Sequence, residues 1–184
     1  MAKFTFTGTG IAGLTIIEST VFGDERGYFM ETFQKEEFRA AGLPVDFVQD
    51  NQSKSKRGVL RGLHFQKTNP QGKLVRIIAG EVFDVAVDLR GGSPTCGQWR
   101  GVVLNAENKK QLYVPEGFAH GFVVLSEFAE FTYKCTRLYD PGDEAGIIWN
   151  DAELGIDWHL GGVVPVLSDK DTGLPALKDM EFRF

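Results

Sequence analysis

Short strand-like runs separated by turn-forming residues set the strongest constraint on the fold of this 184-residue chain. The runs are LTIIEST, GYFMETF, VDFVQDNQS, GVLRGLHFQ, KLVRIIA, EVFDVAVDL, GQWRGVVL, QLYVP, HGFVVL and AEFTYKCTRLY. Breakers such as RGGSPTCG and PEG separate them, at spacings typical of a sandwich or barrel. No stretch has a helical period long enough for a β–α–β crossover, so a parallel sheet is not expected. The pattern predicts a single all-β domain over residues 1–184, a small antiparallel jelly roll.

Two segments depart from the strand pattern. The stretch KEEFRAAGLP (35–44) predicts a short helix that is stopped by Gly42 at the C-cap position, with Pro44 just beyond. After about residue 141 the pattern loosens into PGDEAGIIWNDAELGIDWHLGG, which predicts loops and short turns wrapped on the barrel.

Charge and composition exclude several classes of partner. The net charge of −5 argues against a nucleic-acid duplex, which needs a basic face, but leaves room for a small anion held by local cations. No run approaches the roughly 18 apolar residues of a membrane helix, and MAKFTFTGTGIAG has no signal-peptide core. The two cysteines, Cys96 and Cys135, could form one bridge but no scaffold. We expect a soluble, cytoplasmic protein.

One strand carries an unusual pair of polar residues. In GVLRGLHFQ (58–66), Arg61 and His64 are three positions apart, so strict alternation would place them on opposite faces. If both serve one site, the strand must depart from regularity between them. Gly62 is where a β-bulge would be easiest to accommodate, and we predict one there.

Metal binding is considered because PEGFAHGF (115–122) has the P-x-G-x-x-H form of the second motif of cupin barrels. The first cupin motif supplies two histidines as H-x-H, but here it would be His64-Phe65-Gln66, and the second histidine is absent. The remaining pair, His64 and His120, offers too few ligands for Zn²⁺ or Fe²⁺. A cupin-like barrel without a metal is therefore the expected fold.

Six stretches in order carry a resemblance to a known family. They are FGDERGYFMETF, FVQDNQSKSKRGVLRGLHFQ, QGKLVRIIAGEVFDVAVDLR, PEGFAHGF, AEFTYKCTRLYDPGDE and LSDKD. Together they resemble the dTDP-4-dehydrorhamnose 3,5-epimerases, cupin-fold enzymes of nucleotide-sugar biosynthesis. The resemblance implies inversion of C3 and C5 in a dTDP-linked 4-keto-6-deoxyhexose, without a cofactor. It also implies a homodimer in which the N-terminal region contributes to the partner's sheet.

The same resemblance implies roles that the chemistry of the residues supports. His64 resembles the base, a role that an imidazole suits because it is largely neutral at pH 7. Asp171 resembles the carboxylate that orients this base, and Asp84 is the fallback candidate. Tyr133 resembles the acid on the opposite face of the sugar. Lys73 resembles the cation beside the C4 oxygen, where enolate charge develops.

Further positions resemble those that hold the substrate. Arg26, Arg61 and Lys170 are expected near the diphosphate, whose oxygens suit cationic donors. Tyr139 resembles the aromatic residue that stacks on thymine. The remaining expected substrate contacts are Glu31, Gln49, Asp50, Asn51, His120 and Glu144.

Ordinary structural roles remain open for several of these residues. Tyr133 shares one strand face with Phe131 and Cys135, so it could be a core tyrosine, whereas Lys134 should point to solvent. His120 could be a polar plug in the barrel, and His159 lies outside every motif and is expected at the surface. Two other functions also stay open: a mono-epimerase acting at C3 or C5 alone, and a non-catalytic or metal-using sugar-binding cupin.

Overall fold

The computed structural model describes residues 3–180 and residue 184. Within them, the strands are β1 (Phe4–Gly8), β2 (Thr15–Ser19), β3 (Val21–Asp24), β4 (Gly27–Met30), β5 (Gln49–Lys56), β6 (Leu60–Gln66), β7 (Lys73–Ala79), β8 (Glu81–Asp88), β9 (Trp99–Asn105), β10 (Gln111–Val114), β11 (Phe118–Val124), β12 (Phe128–Cys135) and β13 (Glu144–Gly146). The helices are α1 (Lys35–Ala40), α2 (Asp169–Thr172) and a 3₁₀ turn at Leu177–Asp179. None of these helices has the length and apolarity needed to cross a membrane.

The strands form two antiparallel sheets that pack face to face. One sheet has the order β1-β2-β10-β7-β12-β5, and the other has the order β13-β6-β11-β8-β9. Their facing surfaces share an apolar core, in which the rings of Phe122 on β11 and Phe131 on β12 stack with centroids 4.2 Å apart. Among the strands of the described residues, β3 and β4 pair only with each other, as a separate hairpin. The fold is a cupin-type β-sandwich with short helices, as the sequence predicted.

Residues 148–180 and residue 184 cover the outer face of the five-stranded sheet. Leu154 and Trp158 pack there against Val85 and Val87 of β8. Most of this segment has no regular structure, which confirms the predicted wrapping loops. The exceptions are α2 and the 3₁₀ turn at Leu177–Asp179. Just before this segment, the three-residue strand β13 pairs with β6 and was not predicted.

The other predicted elements agree with the structure, apart from two N-terminal strands. Each predicted strand run overlaps an observed strand, but β1 and β3 were missed because both are short edge or hairpin segments. Helix α1 was predicted, although its C-cap is Ala41 and not Gly42. Gly42 follows with φ +76°, the left-handed backbone that glycine adopts without a steric penalty.

The predicted irregularity in β6 is confirmed. His64 pairs with His120 and Arg61 pairs with Phe122, so three steps along β6 match two along β11. The extra residue brings Arg61 and His64 to the same cavity. Gly62 has φ +117°, and a Cβ added there would lie 2.5 Å from the Gly121 Cα. Only glycine fits this close approach of two backbones.

Candidate active site

A cavity of about 500 Å³ opens between the two sheets. Strands of the five-stranded sheet bring His64 and His120 to it, and strands of the six-stranded sheet bring Lys73 and Tyr133. The site residues predicted from the sequence that line it are Gln49, Asn51, Arg61, His64, Lys73, His120, Tyr133, Tyr139, Glu144, Lys170 and Asp171. The fold therefore gathers most of the predicted site into one place.

His64 is held by a buried carboxylate. Its Nε2 lies 2.5 Å from Oδ1 of Asp171, whose side chain is only 4% exposed. Ser168 caps helix α2 and donates a 2.7 Å hydrogen bond to Asp171 Oδ2. Burial raises the pKa of Asp171, but the hydrogen bonds from His64 and Ser168 outweigh it, and the net pKa lies below its ordinary value. Asp171 is thus held as a carboxylate that fixes the imidazole ring.

Asp84, the fallback partner of His64, binds the other histidine of the cavity. Its two oxygens lie 2.9 and 3.1 Å from Nε2 of His120. Asp84 on β8 and His120 on β11 both point into the barrel, whereas Asp171 reaches His64 from the C-terminal segment. The fallback assignment is therefore wrong.

Lys73 brings a positive charge into the cavity from β7. Burial lowers the pKa of its ammonium group, and the negative charge of Asp84 and Glu144 only partly opposes this effect. No described residue forms an ion pair with this lysine. A half-buried cation without an ion-pair partner is suited to an anionic ligand atom.

Tyr133 faces the cavity from β12, on the same strand face as Phe131 and Cys135, as predicted. Burial raises the pKa of its phenol. The hydroxyl therefore stays protonated across the neutral range, which a proton donor requires. Lys134 points the other way, as predicted, and its Nζ lies 2.6 Å from the Asp50 carboxylate.

A charged cluster borders the cavity next to His64. Glu144 accepts hydrogen bonds from Tyr139 Oη at 2.9 Å and from Lys170 Nζ at 2.8 Å. Its other oxygen is 3.8 Å from Nδ1 of His64. Burial raises the pKa of Glu144, but the bonds from Lys170 and Tyr139 outweigh it and the net pKa is lowered. Tyr139 itself is half-exposed and lines the cavity.

Arg61 and two polar side chains of β5 complete the cavity wall. The Arg61 guanidinium donates to Ser55 Oγ at 3.1 and 3.3 Å. Gln49 and Asn51 point into the cavity, where the Gln49 amide donates to Asn51 Oδ1 at 3.0 Å. These groups leave further donors for a polar ligand.

Three predicted substrate contacts lie elsewhere. Asp50 lies between Gln49 and Asn51 in β5, so alternation turns it to the outer face of the sheet. Arg26 is exposed at the turn of the β3–β4 hairpin, where it pairs with Asp24. Glu31 follows that hairpin and accepts from the ammonium of Lys3 at 2.5 Å.

Sequence reasoning missed one functional neighbour, Ser168. The signal was available, because Ser168 and Asp171 in LSDKD have the serine-x-x-acid spacing of a helix N-terminus. Among the residues that the structure describes, no three His, Cys, Asp or Glu side chains are grouped so that they could hold a metal ion. His159 is exposed, as predicted.

The sequence matches the family model described as dTDP-4-dehydrorhamnose 3,5-epimerase over residues 8–179. A curated relative of that name from Salmonella typhimurium strain LT2 is 58% identical over 171 residues, which are 92% of this chain and 93% of the relative. A solved dTDP-6-deoxy-D-glucose-3,5-epimerase from Legionella pneumophila Philadelphia 1, in complex with dTDP-4-keto-L-rhamnose, is 52% identical. It superposes with a TM-score of 0.93, over 97% of this chain and 95% of that one.

A relative with a narrower activity is more distant. The solved 3'-monoepimerase from Streptomyces bikiniensis, in complex with dTDP-quinovose, is 36% identical with a TM-score of 0.85. The alignment covers 92% of this chain and 86% of that one. Because the family model spans nearly the whole chain and the relatives match it end to end, this protein belongs to the dTDP-4-dehydrorhamnose 3,5-epimerase family.

Proposed function

We propose that this protein is an isomerase that converts dTDP-4-dehydro-6-deoxy-D-glucose to dTDP-4-dehydro-L-rhamnose, by inversion of C3 and C5. The product would serve dTDP-L-rhamnose or a related deoxysugar pathway in the cytoplasm. The observation that carries the proposal is the placement of a base and an acid on opposite walls. His64, bound to Asp171, comes from one sheet, and Tyr133 comes from the facing sheet.

The proposed chemistry is a proton transfer through an enolate, at each carbon next to the C4 ketone. His64 takes the proton from one face, with Nδ1 as the basic atom because Nε2 is bonded to Asp171. The electron pair moves onto the C4 oxygen, beside which we place Lys73. Tyr133 then donates its proton to the opposite face of the carbon. Before the second inversion, His64 releases its proton to solvent and Tyr133 takes one up. Each inversion is redox-neutral, so the scheme needs no nicotinamide, and Lys73 supplies the charge at the C4 oxygen that a metal ion would otherwise provide.

Lys73 would supply most of the electrostatic stabilisation. Its charge lies in a partly dehydrated wall, where it acts on the enolate oxygen more strongly than it would in water. Removing one such donor from an oxyanion site typically costs a factor of about 10² to 10³ in rate.

The nucleotide would be held at the border of the cavity. We place the diphosphate against Arg61 and Lys170, whose donors suit phosphate oxygens, and thymine against the half-exposed ring of Tyr139. Binding would draw Lys170 away from Glu144, with which it is paired in the free protein.

Chemical reduction of the product tests the proposal without a second enzyme. The 4-keto sugar is incubated with the protein, reduced with borohydride, and hydrolysed, and the free sugars are identified by chromatography. Inversion at both carbons gives rhamnose and 6-deoxytalose, whereas unreacted substrate gives 6-deoxyglucose and 6-deoxygalactose. Inversion at C3 alone gives 6-deoxyallose and 6-deoxygulose, and would establish the mono-epimerase alternative. Recovery of unreacted sugar only would favour a binding protein.

We also propose a homodimer, in which the β3–β4 hairpin of one subunit reaches the site of the other. The hairpin pairs with no other described strand and exposes Phe22, Tyr28 and Phe29, with relative exposures of 52%, 60% and 65%. Exposed aromatics on an isolated hairpin are characteristic of an interface. A hairpin that crosses to the partner would carry Arg26 towards the partner's nucleotide, whereas within its own subunit Arg26 does not line the cavity.

Subunit mixing tests this arrangement. Arg26→Ala and His64→Ala variants, each impaired alone, are mixed, partly unfolded together and refolded. If a site takes Arg26 from one subunit and His64 from the other, mixed dimers contain one intact site and activity is regained. A monomer by sedimentation, or no gain of activity in verified mixed dimers, would contradict the proposal.

A further inference from the structure

A second histidine–aspartate pair is buried behind the cavity wall. Asp84 is 0% exposed and His120 is 7% exposed. His120 lines the cavity, whereas Asp84 does not, and both carboxylate oxygens approach the same ring nitrogen, Nε2. Asp84 can therefore influence a ligand only through its neighbours.

This pair is not needed to join the two strands. β8 and β11 are already paired in continuous register over seven positions, from Phe118 opposite Asp88 to Val124 opposite Val82. A fully buried carboxylate costs free energy unless its oxygens are well bonded. Of the residues in the described ranges, His120 alone gives Asp84 a hydrogen bond. An apolar residue at position 84 would serve the sheet as well.

Asp88, on the same strand and equally buried, shows what a structural carboxylate looks like in this protein. It is bonded by the guanidinium of Arg90 and by the hydroxyls of Ser93 and Thr95. These donors neutralise the charge of Asp88 at the end of β8, outside the cavity. Asp84 has no such set of donors within residues 3–180 and 184.

The hydrogen bond to Asp84 determines which ring nitrogen of His120 is left for a ligand. Lys73 lines the same cavity and interacts electrostatically with Asp84, so one carboxylate already faces one cation. With its proton on Nε2 and donated to Asp84, the ring leaves a lone pair on Nδ1, which has no hydrogen-bond partner in residues 3–180 or 184.

We propose that Asp84 is a positioning residue for sugar binding. It holds His120 in the tautomer protonated on Nε2, so that Nδ1 accepts a hydrogen bond from a hydroxyl group of the hexose ring. The inference rests on the proposed function for the identity of the ligand, but the tautomer is a property of the free protein. Asp84 thus orients the sugar, while Asp171 serves the base His64.

Nitrogen-15 NMR of the imidazole rings tests the tautomer directly. The chain has three histidines, and His159 is exposed, so its signals serve as an internal reference. His64→Ala and His159→Gln variants assign the remaining signals to His120. At neutral pH we expect a protonated Nε2 and an unprotonated Nδ1. A proton on Nδ1, alone or with Nε2, would overturn the proposal whether or not any variant folds.

Kinetics of Asp84→Asn tests the consequence for the sugar. The asparagine can donate from its amide N–H₂ to Nε2, so His120 is no longer held in the tautomer protonated on Nε2. Loss of one hydrogen bond to the sugar should then raise KM by about tenfold, with a smaller change in kcat. The effect should vanish when the change is added to His120→Ala. Asp88→Asn, on the same strand, should lower stability but leave KM unchanged.

The outcomes separate this proposal from the proposed function. Wild-type protein that fails to turn over the 4-keto sugar would reject the proposed function, while the NMR result would still decide the tautomer. Wild-type turnover with an unaltered KM in a folded Asp84→Asn variant would reject the positioning role alone.

Discussion

His64 and Asp171 lie 107 positions apart in the sequence, and their Nε2 and Oδ1 atoms are 2.5 Å apart in the fold. The bulge in β6 turns the histidine into the cavity, and the cap of α2 by Ser168 fixes the aspartate. Because one ring nitrogen is committed to Asp171, the other is left to act as the base.

Asp171→Asn should therefore impair proton removal without unfolding the protein. An amide can present its N–H₂ to the histidine and favour the wrong tautomer, which in a serine-protease triad costs about 10⁴ in kcat. We expect a loss of roughly 10² to 10⁴ in the exchange rate of the substrate's C3 and C5 protons. Asp169→Asn, in the same short helix but exposed, is the matched control and should keep full activity. Equal exchange rates in the Asp171→Asn and Asp169→Asn variants would contradict the role of Asp171 in orienting His64.

Tyr133→Phe should separate proton exchange from inversion. His64 can still remove a proton and return a deuteron from solvent to the same face, but the donor on the opposite face is lost. Deuterium should enter the substrate while the amount of inverted product falls sharply, as measured by NMR together with the reduction assay. Tyr113→Phe, a buried tyrosine of β10 outside the cavity, is the control. Parallel loss of exchange and inversion would assign Tyr133 a different role.

Lys73→Met should abolish most activity and stabilise the fold. Burial lowers the pKa of this ammonium, so the folded state holds a charge at a cost at neutral pH. Removing the charge should raise the melting temperature, while kcat falls by about 10² to 10³. Lys54→Met, an exposed lysine in the same sheet, should change neither. A lower melting temperature for the Lys73 variant would show that neighbouring groups stabilise the Lys73 charge in the folded state, and would contradict this prediction.

Stability should fall in acid, in part through Asp88. Burial raises the pKa of Asp88, but hydrogen bonds from Arg90, Ser93 and Thr95 outweigh it and lower the net pKa below the ordinary value of 3.8. The contribution of Asp88 to the free energy of unfolding is complete when the pH is above the ordinary pKa of the unfolded state. It is lost as the pH falls through the lowered pKa of the folded state. Asp88→Asn should therefore be less stable than wild type at pH 7, and the difference should narrow below about pH 4 in urea unfolding. If the two proteins differed by the same free energy of unfolding at pH 7 and below pH 4, Asp88 would not contribute to the loss of stability in acid.

Local pattern predicted the strands and the irregularity in β6, because alternation and glycine geometry act over a few residues. The same alternation could have shown that Asp50 points away from Gln49 and Asn51, towards Lys134. The pairings of His64 with Asp171 and of His120 with Asp84 depend on which strands become neighbours, so local pattern cannot select between the two aspartates. The resemblance to the family supplied the first pairing, and the fold alone supplied the second.

Proton NMR of dTDP-4-keto-6-deoxyglucose with the protein in D₂O tests the central claim most directly. If His64 removes the protons next to the C4 ketone, the C3 and C5 proton signals should both disappear, without added nicotinamide or metal. His64→Ala should stop this exchange and keep the folded state. Loss of one signal only would identify a mono-epimerase. Two signals that persist with the wild-type protein would contradict the assignment of this cavity as an epimerase active site.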